Sequence, residues 1–267
     1  YNATGLSGYV INGSTGESVL LTWPEIYRLW ETAAEEAATG KILIAGTAAE
    51  STVETIEHTK KAAAIGYAAA LVRTPGYFKP QMNEVTLGEH FLRVADASPI
   101  PVVIYSIPQF TGVNVEAAMV ARLAEHPNIV GMKDSSGNLL GITEIVEATP
   151  LKFQTLVGSA STLYPSLAIG ACGAILGLAC ALPELCVLLY EAARAGDAER
   201  ARKIQQQLLL PSKLISSRYG IPGLKYALDK LGYYGGPPRR PLLPIDEAAR
   251  RQIDSALAAV AAHSIAS

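Results

Sequence analysis

Charge is scarce in this sequence. Charged side chains make up 17% of the 267 residues, and the formal net charge is −2 at pH 7. No run of basic residues is longer than two, as in the pair Arg239–Arg240. Proteins that bind nucleic acids carry basic patches or stripes on the binding surface. The composition therefore predicts neither a nucleic-acid partner nor another polyanion.

Cysteine and metal-binding patterns are also rare. The three cysteines, Cys172, Cys180 and Cys186, are odd in number and lie among apolar residues. This is typical of reduced core cysteines, so we expect a cytoplasmic protein of the bacterial cytosol or an organelle matrix. The sequence has no CxxC motif, and its four histidines are not paired as HxH or HExxH. We therefore expect no protein-bound catalytic metal.

Long apolar runs are missing as well. The longest, over residues 168–182, is interrupted by Gly170, Gly173 and Gly177 and is followed by Pro183. A membrane-spanning helix needs about 20 predominantly apolar residues. The sequence therefore predicts no membrane span, and its first residues do not have the pattern of a signal peptide.

Short apolar runs alternate with helical patterns, and hydrophobic residues make up 49% of the chain. Strands that are apolar on both faces and separated by helices are typical of a parallel sheet covered by helices. Because no GxGxxG or GxxxxGKS/T motif follows the first strand, a (β/α)8 TIM barrel is favoured over a nucleotide-binding doubly wound sheet. The predicted strands are 8–13, 42–46, 69–74, 102–107, 129–133, 153–158 and 173–178. The predicted helices are 22–38, 51–65, 82–96, 115–124, 138–147, 161–169 and 183–194.

Seven strands are predicted, whereas this barrel closes with eight. The sequence opens on a strand, so we expect the first βα unit to be the missing one. We expect the barrel to occupy residues 1–195. A C-terminal helical extension, residues 196–267, is expected to pack on it with helices at 197–217, 222–231 and 246–261.

Polar side chains occur where several predicted strands end, and in a βα barrel this rim carries the chemistry. Lys133 ends the fifth strand, and Tyr105 lies near the end of the fourth. Since consecutive strands are neighbours about 4.8 Å apart, we expect these two side chains to converge, with Gly131 leaving room beneath the lysine. The turn Ser14-Thr15-Gly16 follows the first strand and offers hydroxyl and N–H groups to a carboxylate.

A lysine in a desolvated pocket has a lowered pKa, and its free amine can attack a ketone to form a Schiff base. The protonated imine then serves as an electron sink while a carbon–carbon bond forms or breaks, and Tyr105 is placed to relay protons. Taken one at a time, these residues have plainer interpretations. Lys133 could be solvated or ion-paired, and Tyr105 could be a core residue. The 14–16 turn could simply lead into a helix, and Tyr77 could be an aromatic residue of a loop. Their combination on one rim favours the catalytic interpretation.

Six motifs follow one another along the chain: GSTGES (13–18), TPGYFKP (74–80), VIYSIPQFTG (103–112), GMKDSSG (131–137), GSA (158–160) and GACGAI (170–175). Together they resemble the dihydrodipicolinate synthase/N-acetylneuraminate lyase family of class I, Schiff-base pyruvate aldolases. The resemblance implies that Lys133 forms the Schiff base with pyruvate and that Tyr105 is the proton relay. It also implies that Ser14 and Thr15 relay protons and bind the pyruvate carboxylate.

The same resemblance implies an assembly and further contacts with the substrate. The usual assembly is a homotetramer, in which Tyr77 crosses a dimer interface into the site of a neighbouring subunit. The backbone carbonyl of Ile175 and Gly158 of the GSA motif are expected to contact the substrate. The only electron sink implied is the covalent Schiff base on Lys133, so no cofactor is expected.

A second set of motifs bears on the substrate. The segments 126–137 (HPNIVGMKDSSG) and 218–242 (RYGIPGLKYALDKLGYYGGPPRRPL) closely resemble 4-hydroxy-2-oxoglutarate aldolases, which release pyruvate and glyoxylate. Phe110 stands where dihydrodipicolinate synthases carry an arginine that binds aspartate semialdehyde. Arg73 stands where the family has an apolar residue. We expect Arg73 to face a helix with its head in water, the alternative being that it binds a second substrate carboxylate.

Other functions stay open at this point. Dihydrodipicolinate synthase and a sugar-acid lyase use the same chemistry, and a non-catalytic 2-oxo-acid-binding barrel would keep the pocket without turnover. A two-carboxylate glycosidase is disfavoured, because the strand ends offer only Glu17 and Asp134. For Glu17 we expect a place at the positive end of a helix dipole, and for Asp134 hydrogen bonds to loop amides.

Overall fold

The computed structural model describes residues 1–265, and the side chains of residues 1–262. Within this range seven strands form one sheet in which every pair of neighbours is parallel. The strands follow one another across the sheet in chain order, whereas a doubly wound sheet reverses its order at a switch point. The predicted βα barrel is therefore confirmed. The strands are β1 Gly8–Ile11, β2 Ile42–Gly46, β3 Ala69–Arg73, β4 Val102–Ser106, β5 Ile129–Asp134, β6 Gln154–Val157 and β7 Gly173–Ala174.

Helices connect the strands and continue beyond the last one. Helix α1 begins after Thr22, whose backbone N–H and hydroxyl both donate to Glu25 Oε2 at 2.8 Å. Such a cap satisfies a polar group that the first helical turn leaves unpaired. The helices are α1 Trp23–Glu36, α2 Thr52–Ile65, α3 Glu84–Ala97, α4 Pro108–Thr111, α5 Ala117–Leu123, α6 Leu139–Ala148, α7 Leu163–Ala168, α8 Pro183–Arg194, α9 Ala198–Pro211, α10 Gly220–Lys230 and α11 Glu247–Ile265.

The predicted strand over 173–178 covers only Gly173–Ala174, and two further elements differ in type from the sequence prediction. The predicted helix over 197–217 consists of α9 followed by a π-helical segment over Ser212–Arg218. Pro211 stands at the change, and its missing N–H cannot donate to a carbonyl of the preceding turn. The short helix α4 lies in a segment predicted as a loop, where a turn of four residues is too short to show helical periodicity.

The two faces of each strand have different neighbours. Ala70 and Val72 of β3 belong to a core shared with the outer helices, whereas Leu71 belongs to an inner cluster with Val103 and Tyr105. Alternation of side chains along a strand therefore assigns every second residue to the interior of the barrel. This assignment decides which polar residues meet at the rim.

The C-terminal helices pack on the barrel near strand β6. Gln205 of α9 donates to the carbonyl of Ala160 at 2.9 Å and accepts from the N–H of Tyr164 at 2.8 Å. The hydroxyls of Ser161 and Ser212 lie 2.8 Å apart. These contacts hold the loop that follows β6 against α9. The division of the chain at residue 195 stays a prediction.

Neither a membrane-spanning helix nor a cluster of metal ligands occurs among the residues that the structure describes. None of the helices there is long and apolar enough to cross a membrane. No group of three or more His, Cys, Asp or Glu side chains in that range is placed to hold a metal ion.

Candidate active site

Lys133 lies on strand β5 with its side chain inside the barrel. It is only 7% exposed, and its backbone is paired in register with Tyr105 on β4. The Lys133 Nζ atom lies 4.2 Å from the centre of the Tyr105 ring. A cation at that nitrogen is attracted by the face of the ring, so the two side chains form one polar group in an apolar interior.

Ser14 extends this polar group across the barrel. Its hydroxyl lies 3.3 Å from the hydroxyl of Tyr105, although the two residues come from strands that are not neighbours. Ser14 sits in a 3-10 turn, Ser14–Gly16, which is separated from the end of strand β1 by two residues. The structure thus brings together three of the residues that the sequence analysis selected: Lys133, Tyr105 and Ser14.

The turn that carries Ser14 is fixed by the residue that follows it. Glu17 has φ 58°, in the left-handed region, and its carboxylate is buried. Glu17 Oε2 lies 2.6 Å from Lys225 Nζ, and Glu17 Oε1 accepts from the N–H of Arg239 at 2.6 Å. Glu17 does lie at the entry to a helical turn, Ser18–Leu20, as expected, but its side chain makes no cap hydrogen bond there. Its carboxylate instead binds two residues of the C-terminal segment.

Burial sets the protonation of the site. It lowers the pKa of the Lys133 amine, and the neighbouring Tyr105 and Cys180 offset part of this decrease. Burial also raises the pKa of Asp134, whose Oδ1 accepts from the N–H and the hydroxyl of Ser136 at 2.9 and 2.6 Å. Asp134 thus binds a loop amide as predicted. An amine with a lowered pKa is neutral more often than an exposed lysine and is a better nucleophile.

The other predicted substrate-binding residues lie around this group. A side chain at Gly158 would come within 3.0 Å of Lys133 Cε and closer still to Ser135, so glycine keeps this space open. Thr15 is exposed, and its Oγ1 lies beside Gly177. Ile175 donates its N–H to the carbonyl of Val157 at 2.9 Å, which places it beside the last residue of strand β6.

Gly131 has a different purpose from the one expected. A β-carbon there would lie 2.5 Å from the carbonyl oxygen of Gln154 on strand β6. The missing side chain therefore allows β5 and β6 to approach each other closely, instead of leaving room beneath Lys133.

Tyr77 and Arg73 mark the edge of the site. Tyr77 is 79% exposed and lies outside the group around Lys133. The Arg73 side chain is only 16% exposed and pairs with Glu50 at 3.1 Å. The expectation that Arg73 faces a helix with its head in water is wrong, because its strand position is in register with Tyr105 on the inner face. Sequence reasoning missed Glu50, which no motif marks.

The comparison with known proteins agrees with this geometry. Residues 2–260 match the Dihydrodipicolinate synthetase family. The chain belongs to this family. It is therefore an enzyme of a family of carbon–carbon lyases and aldolases, whose members use a pyruvate Schiff base on lysine without a metal or other cofactor.

Relatives in this family are similar over almost the whole chain. The 4-hydroxy-tetrahydrodipicolinate synthase of an Exiguobacterium species is 37% identical over 254 residues, covering 95% of this chain and 86% of the relative. The enzyme of that name from Listeria innocua is 39% identical over 246 residues, covering 91% and 82%. The expected closeness to 4-hydroxy-2-oxoglutarate aldolases is not confirmed by these names.

Solved structures of the family have the same fold. The chloride-inhibited dihydrodipicolinate synthase from Acinetobacter baumannii, complexed with pyruvate, superposes with a TM-score of 0.92. It is 31% identical in sequence, and the match covers 96% of this chain and 88% of that one.

Proposed function

We propose that this dihydrodipicolinate synthase-family enzyme condenses pyruvate with an aldehyde, or releases pyruvate from such a product, through a Schiff base on Lys133. The observation that carries the proposal is the buried Lys133 amine, 4.2 Å from the ring of Tyr105. The amine attacks C2 of pyruvate, a C–N bond forms, and the carbonyl oxygen leaves as water. Loss of a proton from C3 gives an enamine, and its C3 then attacks the aldehyde carbon. Hydrolysis of the resulting imine releases the product and restores the amine.

The proton transfers are assigned to two hydroxyl groups. Water can leave from C2 only if the oxygen is protonated, and the amine must lose protons as the imine forms. Tyr105 lies beside the amine, and its hydroxyl is within 3.3 Å of Ser14. These hydroxyls form a path between the reacting nitrogen and the 14–16 turn. Positioned proton transfer of this kind contributes about 10²- to 10⁴-fold to a rate.

The Ser14–Gly16 turn is assigned to the carboxylate of pyruvate. The N–H groups of Gly16 and Glu17 donate to the carbonyls of Gly13 and Ser14. The hydroxyls and N–H groups of Ser14 and Thr15 are the remaining donors of the turn. Successive N–H groups at a turn form an anion-binding concavity, which would hold pyruvate with its keto carbon toward Lys133.

The aldehyde has two candidates. The names of the relatives support aspartate semialdehyde, the substrate of a 4-hydroxy-tetrahydrodipicolinate synthase. The observation that favours glyoxylate, and thus a 4-hydroxy-2-oxoglutarate aldolase, is Phe110. This side chain is 68% exposed and provides no cation in the segment where dihydrodipicolinate synthases carry an arginine. Aspartate semialdehyde is the substrate to test first, and the aldolase activity stays a prediction.

Trapping with borohydride tests the proposal. The enzyme is incubated with pyruvate, reduced, digested and analysed by mass spectrometry. We expect an adduct on Lys133, none in Lys133→Met, and an unchanged adduct in the control Lys152→Met, since Lys152 is exposed. Folded enzyme without an adduct would refute the proposal. Condensation with aspartate semialdehyde, cleavage of 4-hydroxy-2-oxoglutarate and cleavage of sugar acids then distinguish the candidates.

We further propose a homotetramer in which Tyr77 crosses a dimer interface. The adjacent aromatic side chains of Tyr77 and Phe78 are 79% and 65% exposed, which suits a surface that a second subunit covers. Mixing inactive Lys133→Met subunits with Tyr77→Phe subunits tests it. If Tyr77 serves the neighbouring site, mixed dimers contain one intact site and activity returns. If Tyr77 serves its own subunit, mixing restores nothing.

A further inference from the structure

A cleft adjoins the predicted pyruvate site on the side away from strand β5. The cleft lies above strands β1 to β4, so a molecule in it would be beside Tyr105. Its lining includes Asn12, Ser14, Ser18, Leu71, Arg73 and Tyr105. We infer that Arg73 binds the carboxylate of the aldehyde that reacts with the pyruvate enamine, an inference that rests on the proposed function.

The register of the sheet places Arg73 at the right distance. Arg73 is paired with Tyr105, and Tyr105 is paired with Lys133, on three consecutive strands. Neighbouring strands are about 4.8 Å apart, so the backbones of Arg73 and Lys133 are roughly 10 Å apart. That spacing matches the reach of an aldehyde a few carbon atoms long, from the Schiff base to a distal carboxylate.

The guanidinium of Arg73 is held in place and still has donors to offer. Its Nη1 donates to the carbonyl of Thr74 at 2.8 Å, and its Nη2 donates to Glu50 Oε1 at 3.1 Å. A guanidinium has five N–H donors, so these two bonds leave three. Because the side chain is only 16% exposed, a charge-assisted hydrogen bond to a substrate carboxylate forms with little competition from water.

Glu50 fixes the arginine and the loop beside it together. Its Oε2 accepts from the N–H groups of Gly76 and Tyr77 at 2.9 Å each. Ordering the guanidinium in advance lowers the entropic cost of binding a ligand to it. The same bonds also describe a purely structural arginine that holds the 74–77 loop, and the experiment has to separate the two roles.

Both candidate aldehydes carry a carboxylate, and each has a counterpart without one. Aspartate semialdehyde is compared with 3-aminopropanal, and glyoxylate with acetaldehyde. Arg73→Met is measured against wild type, with Glu50→Gln as the matched control. The control breaks the ion pair but keeps the guanidinium and keeps an oxygen for the amides of Gly76 and Tyr77.

We expect Arg73→Met to raise KM and lower kcat/KM for the carboxylate aldehyde at least tenfold or so, the worth of one charge-assisted hydrogen bond. The neutral aldehyde and the rate of the pyruvate adduct on Lys133 should change little. Glu50→Gln should keep the preference for the carboxylate substrate. Equal losses on both aldehydes in Arg73→Met would show that Arg73 is only structural.

The proposed function and this inference fail separately. Absence of a pyruvate adduct in the wild type refutes the proposed function. A normal adduct together with an unchanged aldehyde preference in Arg73→Met overturns the inference alone. If the wild type does not turn over the neutral aldehydes, the rate of the pyruvate adduct on Lys133 serves as the reference. In Arg73→Met, a higher KM for the carboxylate aldehyde with an unchanged adduct rate supports the inference. An equal loss of activity on that aldehyde and of the adduct rate overturns it.

Discussion

Lys225 Nζ lies 2.6 Å from Glu17 Oε2, so helix α10 holds the turn that carries Ser14 and Thr15. The side chains are 21% and 10% exposed, and Lys225 also donates to the carbonyl of Pro237 at 2.8 Å. Removing one partner of a pair this well buried destabilises the fold, because the other charge stays buried without its counter-charge. The C-terminal helices therefore support the predicted carboxylate-binding turn, although they lie far from it in sequence.

Lys225→Met is predicted to damage pyruvate binding and stability together. The Glu17 carboxylate would lose its cation and keep only the N–H of Arg239, which should lower the free energy of unfolding by about 3 kcal/mol. A displaced turn should raise the KM for pyruvate. Chemical denaturation and the pyruvate dependence of borohydride trapping measure the two effects. Lys230→Met is the control, since Lys230 is half exposed in its pair with Asp254. If the two variants behave alike, the pair does not position the turn.

Tyr105→Phe is predicted to slow formation of the Schiff base by about 10²- to 10⁴-fold. The phenyl ring keeps its place beside the Lys133 amine, and only the hydroxyl that contacts Ser14 is lost. Rapid mixing with pyruvate followed by reduction at timed intervals gives the rate. Ser14→Ala should slow the step less, since the phenol remains. An adduct rate equal to that of the wild type in Tyr105→Phe would remove the phenol from the proton path.

Lys133→Met is predicted to be more stable than the wild type at neutral pH. Burial lowers the pKa of Lys133 in the folded chain, whereas in the unfolded chain its pKa is about 10.5. At pH values between these two pKa values, the unfolded chain binds a proton that the folded chain has lost. The wild type therefore gains stability as pH rises through this window. The advantage of Lys133→Met, about 1 kcal/mol or more at pH 7, should shrink toward pH 10. Urea unfolding of both proteins at several pH values tests this, and a constant difference would contradict it.

The barrel and part of its rim were predictable from sequence because they depend on neighbouring strands. Tyr105 and Lys133 end consecutive strands, and parallel pairing of such strands brings their side chains together. Arg73 was assigned to the wrong face for a physical reason. Parallel strands covered on both sides are apolar on both faces. The residues of β3 alone therefore do not show which face lies inside the barrel, and only the pairing of Arg73 with Tyr105 decides it.

Contacts between segments distant in sequence could not be predicted. Glu17 pairs with Lys225 and Arg239, and Glu50 pairs with Arg73. None of these pairs has a helical or strand spacing that a pattern would reveal. They depend on how the C-terminal helices and the loops at the rim pack, which only the folded chain determines.

Gly158→Ala is predicted to block the site while leaving the fold intact. The added methyl group would lie 1.8 Å from Ser135 Oγ and 3.0 Å from Lys133 Cε, so the lysine or the serine has to move. We expect adduct formation to fall at least tenfold or so, with a loss of stability of about 1–3 kcal/mol. Gly88→Ala in helix α3 is the control, because its methyl group meets no atom within 4 Å. That substitution should stabilise the helix by about 1 kcal/mol.

His90 is predicted to destabilise the fold in mild acid. Burial lowers its pKa to about 4, its Nδ1 lies 2.9 Å from the hydroxyl of Thr52, and its Nε2 is buried without a hydrogen-bond partner among the described residues. Between pH 4 and 6.5 the imidazole of His90 binds a proton in the unfolded chain but stays neutral in the folded chain. The free energy of unfolding should therefore fall as the pH drops through this range, and the loss approaches about 3 kcal/mol.

His90→Phe separates this residue from the other groups that titrate in acid. The variant lacks the buried imidazole, so its free energy of unfolding should fall less than that of the wild type between pH 7 and pH 4. Near pH 7.5, where His90 is neutral in both states, the difference between the two proteins reports only packing and the lost contact with Thr52. Urea unfolding at five or six pH values gives both curves. Parallel curves would mean that His90 accepts a proton in the folded enzyme as readily as in the unfolded chain.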